Sequence, residues 1–175
     1  MESIGKIAIL GPESSGKTTL CQQLAKYYSS PIVTEIAREF LDRQGGNYKQ
    51  EDLLLIAKEQ LAEENQMSYD PGQFLICDTN LLNILIWSEV KYGSIDPELK
   101  ELWNPNEYQL SLICYPDLPY ESDELREHPD LEDRLHLFHL HEEYLKASDS
   151  NYVIIKGIGK KRLQNAIEAI DELRI

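Results

Sequence analysis

Five short apolar runs recur along the chain, and longer stretches with apolar residues at helical spacing lie between them. The runs are Lys6–Leu10 (KIAIL), Pro31–Glu35 (PIVTE), Phe74–Asp78 (FLICD), Gln109–Tyr115 (QLSLICY) and Asn151–Lys156 (NYVIIK). Helices are expected from about Gly16 to Tyr28 and from Ile36 to Gln44, where Gly45-Gly46 gives a stop signal. A third spans Lys49–Ser68, with apolar residues at 53, 54, 56, 57 and 61. Asp70-Pro71-Gly72 then turns the chain into the third strand. Asn80–Tyr92, Pro97–Trp103, Leu131–Ala147 and Lys160–Leu173 complete the set. Strands alternating with amphipathic helices predict an α/β fold: a doubly wound, five-stranded parallel sheet in the order 2-3-1-4-5, with residues 1–175 as one domain. One segment fits neither period. Pro116–Asp130 holds three of the eight prolines and six acidic residues, and is expected to be a long, mobile loop.

The turn after the first strand carries the most informative motif. Gly11-Pro12-Glu13-Ser14-Ser15-Gly16-Lys17-Thr18 matches G-x-x-x-x-G-K-[ST] in full, between a buried strand and a helix. Glycines let the backbone wrap closely around phosphate and turn its N–H groups inward. The helix beginning near Gly16 aims its positive dipole end at the same charge. Lys17 is placed for the β- and γ-phosphates of ATP, and Thr18 for Mg²⁺. With Ser14, Ser15 and Thr19, these residues form the expected nucleotide cradle.

Two strands end in carboxylates. Asp78 closes FLICD and Glu35 closes PIVTE. A carboxylate following four apolar strand residues suits a metal ligand, although Asp78 would also serve as an N-cap for the next helix. The pair allows one group to face Mg²⁺ and the other to take a proton from an acceptor hydroxyl, without fixing which does which.

Several nucleotide-binding classes are excluded by what is missing. There is no Asn-Lys-x-Asp and no D-x-x-G after the third strand, as a GTPase needs, and no S-G-G-Q-like signature of a transporter ATPase. A mechanical AAA motor needs a second helical domain, for which the length leaves no room. A small-molecule kinase fits: a short core, strand-end carboxylates and a lid over about 116–134. Arg126 and Arg134, in ESDELREHPDLEDR, are the lid cations that would offset charge on the transferring phosphoryl group. Gly157 and Gly159, in a basic run ending at Arg162, would let the backbone approach the adenine. Solvent-facing charge explains that run equally well. His136, His139 and His141 do not share one helix face and are read as packing or surface residues.

Charge refines this picture. The chain has 17 basic and 31 acidic residues, a net charge of −14, which disfavours a nucleic-acid partner. The imbalance is uneven: +1 over residues 1–50, −17 over 51–155 and +2 over 156–175. The near-neutral ends are where an anionic ligand is expected. No apolar run is long enough to span a membrane, the N-terminus lacks signal-peptide layout, and three scattered cysteines suit a reducing compartment, so a cytoplasmic location is expected. Cys77 and Cys114 lie in apolar runs and are read as small buried hydrophobes.

The strings ILGPESSGKTTL, EIAREFLDRQGG, ICDTN and DLPYESDELRE together resemble the ribosylnicotinamide kinase domain of the NadR type, over about Lys6 to Leu173. The resemblance implies ATP-dependent phosphorylation of the 5′-hydroxyl of nicotinamide riboside, for NAD salvage. It places Lys17 and Thr18 at ATP and Mg²⁺, Asp78 as a Walker-B-like acid, Glu35 and Arg38 toward the nucleoside, and Arg126 and Arg134 in the lid. One departure stands out. Members of that type carry an aromatic residue before the strand-end glutamate, as in W-E-Y-G-R-E-F, where this chain has Thr34. Trp87, Trp103, Tyr48 and Tyr120 are the available substitutes.

Overall fold

A computed structural model describes residues 5–67, 73–122 and 124–174. The expected Asp70-Pro71-Gly72 turn, Ser68 and the lid's Asp123 lie outside the described residues. Strands β1 (Lys6–Leu10), β2 (Ile32–Val33), β3 (Leu75–Asp78), β4 (Tyr108–Cys114) and β5 (Tyr152–Ile155) form one sheet. Its order is β2-β3-β1-β4-β5 and every pairing is parallel, so the chain folds as the doubly wound α/β sheet its apolar runs predict.

Alternation within the strands divides the core. Ile7, Ile9, Ile76, Leu112 and Ile155 face one way, against α1 (Lys17–Tyr28) and α7 (Lys160–Asp171). Ala8, Leu10, Leu75, Cys77 and Ile113 face the other, against α4 (Leu81–Tyr92) and α6 (Leu131–Ala147). Helices cover both faces of the sheet, which is why the strands read as apolar runs. A further layer of α2 (Ile36–Arg43), α3 (Gln50–Gln66) and α5 (Pro97–Leu102) packs Phe40, Leu53, Ile56 and Leu99 on the outer side of α4. Cys21, Cys77 and Cys114 are buried free thiols.

Most element ends fall within two residues of expectation, and β2 is the main difference. It is an edge strand of two residues, paired only to β3 through Ile32↔Ile76 and Val33↔Cys77. Pro31 has no N–H to donate, and its carbonyl takes the Ile76 N–H at 3.1 Å. Thr34 is exposed, its hydroxyl donating to Glu39 at 3.0 Å. Of the lid expected over about 116–134, the described residues up to 130 contain neither helix nor strand, and α6 begins at Leu131. Among the described residues no helix is long and apolar enough to cross a membrane.

Candidate active site

All five strands run the same way, so their carboxyl ends share one rim of the sheet, where ligands of open α/β folds bind. The P-loop leaves β1 at this rim. Its two glycines are sterically required. Gly11 has φ 132°, and a Cβ there would lie 2.7 Å from the Cys114 carbonyl oxygen. Gly16 has φ 80°, and a Cβ would meet Leu118 Cδ1 at 2.7 Å. Gly16 is also the N-cap of α1, and no side chain caps the helix. The first-turn N–H groups of α1 are thus left for an anion. Lys17 Nζ donates to the Pro12 carbonyl at 2.9 Å and Ser15 Oγ to the same oxygen at 2.7 Å, holding the loop in its curled form.

A cavity of about 510 Å³ opens over this loop. It is lined by all the P-loop residues from Gly11 to Thr19, and it gathers Glu35 and Arg38, Arg126, and Gly159 from three further parts of the chain. Glu35, at the N-cap of α2, is half-buried. Burial raises its pKa above the usual carboxylate value, Lys17 opposes the shift and the Asp78 carboxylate adds to it.

Asp78 does not line the cavity but precedes Thr79, which does. It is 2% exposed, and its Oδ1 has no hydrogen-bond partner among the described residues. The N-cap role falls instead to Asn80, whose Oδ1 accepts from Leu82 N at 2.9 Å. A buried carboxylate oxygen without a donor is costly in a protein interior, and a cation resolves that cost. The donor set at this rim therefore fits a hard divalent ion: Asp78, with the Thr18 hydroxyl exposed on the first turn of α1.

The other expected site residues lie outside the cavity wall. Arg134 is 5% exposed in α6, donates to the Leu118 carbonyl at 3.3 Å and stacks its guanidinium 5.7 Å from the Tyr120 ring. It braces segment 115–130 from beneath. Gly157 N donates to Asp117 Oδ2 at 2.7 Å, and only Gly159 of the two glycines reaches the cavity. Of the four aromatic substitutes, Tyr48 and Trp87 line the cavity, with ring centroids 4.7 Å apart and Trp87 Nε1 donating to Tyr48 Oη at 2.9 Å. Trp103 packs on Tyr144 instead. His136 and His139 are exposed. His141 is buried on the cavity wall, Nδ1 donating to the Leu137 carbonyl at 2.7 Å.

Three contributors escape sequence reasoning. Arg162 belongs to a basic run that reads as solvent-facing, yet it is 4% exposed and donates to the carbonyls of Ser15, Tyr115 and Ile155 and to Asp117. Gln60 of α3 accepts from Ile36 N at 3.3 Å and donates to the buried Glu64 at 3.0 Å, steadying the turn that carries Glu35. Asn83 of α4 joins the cavity between Gly11 and His141. Their partners are mostly main-chain groups far away in sequence. No local pattern marks them, although an isolated Gln on an apolar helix face is a weak signal for the second.

The profile of a family described as an AAA domain matches residues 6–162, from β1 into the first turn of α7. The chain belongs to that family. Among curated relatives, the trifunctional NAD biosynthesis/regulator protein NadR of Salmonella typhimurium (strain LT2) is 24% identical over 174 residues, 95% of this chain. The chain spans 42% of that relative's length. NadR structures in complex with NAD and AMP-PNP, and with NR, superpose with TM-scores of 0.74 and 0.75 at 21% and 20% identity. Each covers 97% of this chain, which spans about half of the NadR chain. Deoxyadenosine kinase from M. mycoides, with dCMP and dCDP bound, superposes at a TM-score of 0.62 and 17% identity, covering 95% of this chain and 99% of its own. The NadR resemblance legible in the sequence is thus met by both kinds of comparison. The fold is that of a P-loop nucleoside or nucleotide kinase.

Proposed function

We propose that this protein transfers the γ-phosphoryl group of ATP to a hydroxyl of a nucleoside-like small molecule, with nicotinamide riboside as the acceptor. The observation that carries the reading is a single cavity lined by the P-loop, by Glu35 and by the Tyr48–Trp87 pair. Donor phosphates and an aromatic acceptor base would share one enclosed space, and the aromatic pair would do the work of the residue that Thr34 replaces. The Tyr48–Trp87 rings, with Glu35 on the same wall, favour a ring that carries positive charge. Relatives solved with NR and with AMP-PNP support the same assignment.

The roles divide by position. Glu35 lines the cavity and is the base: it accepts the hydroxyl proton as the acceptor oxygen bonds to phosphorus and the β–γ bridging oxygen leaves on ADP. Asp78, outside the wall with a bare oxygen, and Thr18 would hold Mg²⁺, which supplies charge neutralisation on the phosphates. Lys17 and the P-loop N–H groups orient the triphosphate, and Arg126, from a lid formed by the 115–130 segment, closes on the phosphoryl group. Residues 115–130 shield the transfer from water, which would otherwise take the phosphoryl group.

A coupled ADP-release assay across a nucleoside panel tests this. Stimulation by nicotinamide riboside, abolished about 100-fold or more in Lys17→Ala, is expected. Stimulation by deoxynucleosides alone would transfer the assignment to a deoxynucleoside kinase, as the superposition with deoxyadenosine kinase allows. ATP hydrolysis with no acceptor effect would indicate a nucleotide-dependent switch.

A further inference from the structure

A carboxylate inside a phosphate cradle is electrostatically unfavourable, and the P-loop carries one at Glu13. Its side chain is fully committed: Oε1 accepts from the backbone N–H of Glu127 at 3.1 Å and Oε2 from that of His128 at 2.9 Å. The next P-loop residue grips the same segment again. Glu121 N donates to Ser14 Oγ at 3.2 Å, and that hydroxyl donates to the Glu121 carbonyl at 3.3 Å. Arg126 lies between these two points of attachment. Its Nη1 also donates to the Glu121 carbonyl, and it lines the cavity.

We propose that Glu13 is a positioning residue, which acts on phosphoryl transfer by fixing the backbone that carries Arg126; this rests on the kinase reading above. Two adjacent N–H groups on one carboxylate are charge-assisted bonds, and together they fix both the position and the rotation of the 126–128 backbone. On its far side the segment is joined to the acceptor wall. Glu127 Oε1 lies 2.6 Å from Lys91 Nζ and accepts from Tyr48 Oη at 3.1 Å. Arg126 is thus set between a donor-side clasp and an acceptor-side clasp, and it reaches the phosphoryl group in register only when both are made.

Backbone amide exchange of Glu127 and His128, measured by NMR on the whole chain with Mg·AMP-PNP, reads the clasp without reference to any acceptor. Glu13→Gln replaces one accepting oxygen with a donor, and both amides are expected to exchange about tenfold faster or more. Acceptor-dependent turnover is expected to fall about tenfold with KM for ATP within twofold, because the contact is made by the lid and not by the nucleotide. The decisive readout is a double-mutant cycle: in an Arg126→Ala background, Glu13→Gln should cost no further activity. Additive losses would overturn the positioning role, and so would faster exchange with unchanged turnover. Unchanged exchange with normal turnover would overturn the clasp itself. Absence of acceptor-stimulated turnover in the wild type would overturn the kinase reading and the role of Arg126 with it, and the exchange result would still decide the clasp. Glu13→Asp, which keeps the charge but shortens the reach to the two N–H groups, gives the same cycle with a second variant should Glu13→Gln misfold.

Discussion

Arg162 Nη2 donates a 2.9 Å hydrogen bond to the carbonyl oxygen of Ser15, inside the P-loop and 147 residues away in sequence. The same guanidinium reaches Tyr115 O at 2.8 Å, Asp117 Oδ1 at 2.8 Å and Ile155 O at 2.9 Å. Arg162 thus ties the P-loop to the ends of β4 and β5. Arg162→Ala removes one donor each from three carbonyls and from the Asp117 carboxylate. A destabilisation of about 3 kcal/mol is expected in urea denaturation. Arg162→Lys keeps the charge but not the planar fork, so it should recover part of the stability while ATP binding stays weak.

Asp78 predicts the opposite balance. Its buried, unpartnered oxygen weighs against folding, and the proposed metal role is what would offset that cost. Asp78→Asn should therefore leave stability unchanged or raise it by about 1 kcal/mol. The Mg²⁺ concentration that half-saturates turnover should rise about tenfold or more. A loss of stability equal to that of a core cavity would argue for a purely structural Asp78. Thermal melts beside a Mg²⁺ titration make the comparison.

These two residues also show where the sequence was informative. Asp78 was legible because four apolar residues bury its strand and end on a charge, an arrangement with few structural explanations. The sheet order and the P-loop were legible for the same reason, since period and motif are local. Arg162 was not, because its neighbours Lys160 and Lys161 are exposed and a basic run looks solvated. Arg134 was placed in the lid because it and Arg126 flank the acidic loop. Yet α6 already begins at Leu131, and its first full turn buries Arg134 under Leu118. The Tyr48–Trp87 wall depends on α4 lying against the loop before α3, a tertiary contact no window of sequence contains.

Glu35 carries a pH prediction. Burial raises its carboxyl pKa, so the acid limb of kcat/KM should lie above the ordinary glutamate value of 4.5. Glu35→Gln should lower kcat by about 10²- to 10⁴-fold and remove that limb. The stability effect has the reverse sign. The folded state holds the Glu35 proton more tightly than the unfolded state does, so Glu35 costs stability as pH rises from 4.5 through its folded pKa. Glu35→Gln should be the more stable protein at pH 7, and pH-resolved denaturation checks it.

His141 titrates in the other direction. Burial, with Lys17 nearby, holds its pKa down to about 4 from 6.5. Between those values the unfolded chain binds a proton that the folded chain refuses. Stability is therefore fully present above pH 6.5 and is lost as pH falls toward 4, by about 3 kcal/mol in total. Glu35 regains stability over the lower part of that window, so the two effects must be separated by mutation. In His141→Gln the unfolding free energy should change less between pH 7 and pH 4 than in the wild type, by about that amount. Equal slopes in urea denaturation series would mean that His141 is already charged in the folded protein.

The acceptor wall gives the last prediction. Trp87 is half-buried, its indole N–H donating to Tyr48 and its ring set edge-on to the Tyr48 ring. It touches the cavity from α4, whereas the P-loop enters it from the end of β1. Removing the ring should therefore weaken the acceptor and spare the donor. Trp87→Ala is expected to raise KM for nicotinamide riboside about tenfold or more, the scale of one lost aromatic contact with a cationic ring. KM for ATP should stay within twofold. Trp87→Phe keeps a face for stacking and loses only the N–H to Tyr48, so it should recover most of the acceptor affinity. Equal losses for both substrates in Trp87→Ala would mean that Trp87 holds the cavity open as packing, and that the acceptor is bound elsewhere on its wall.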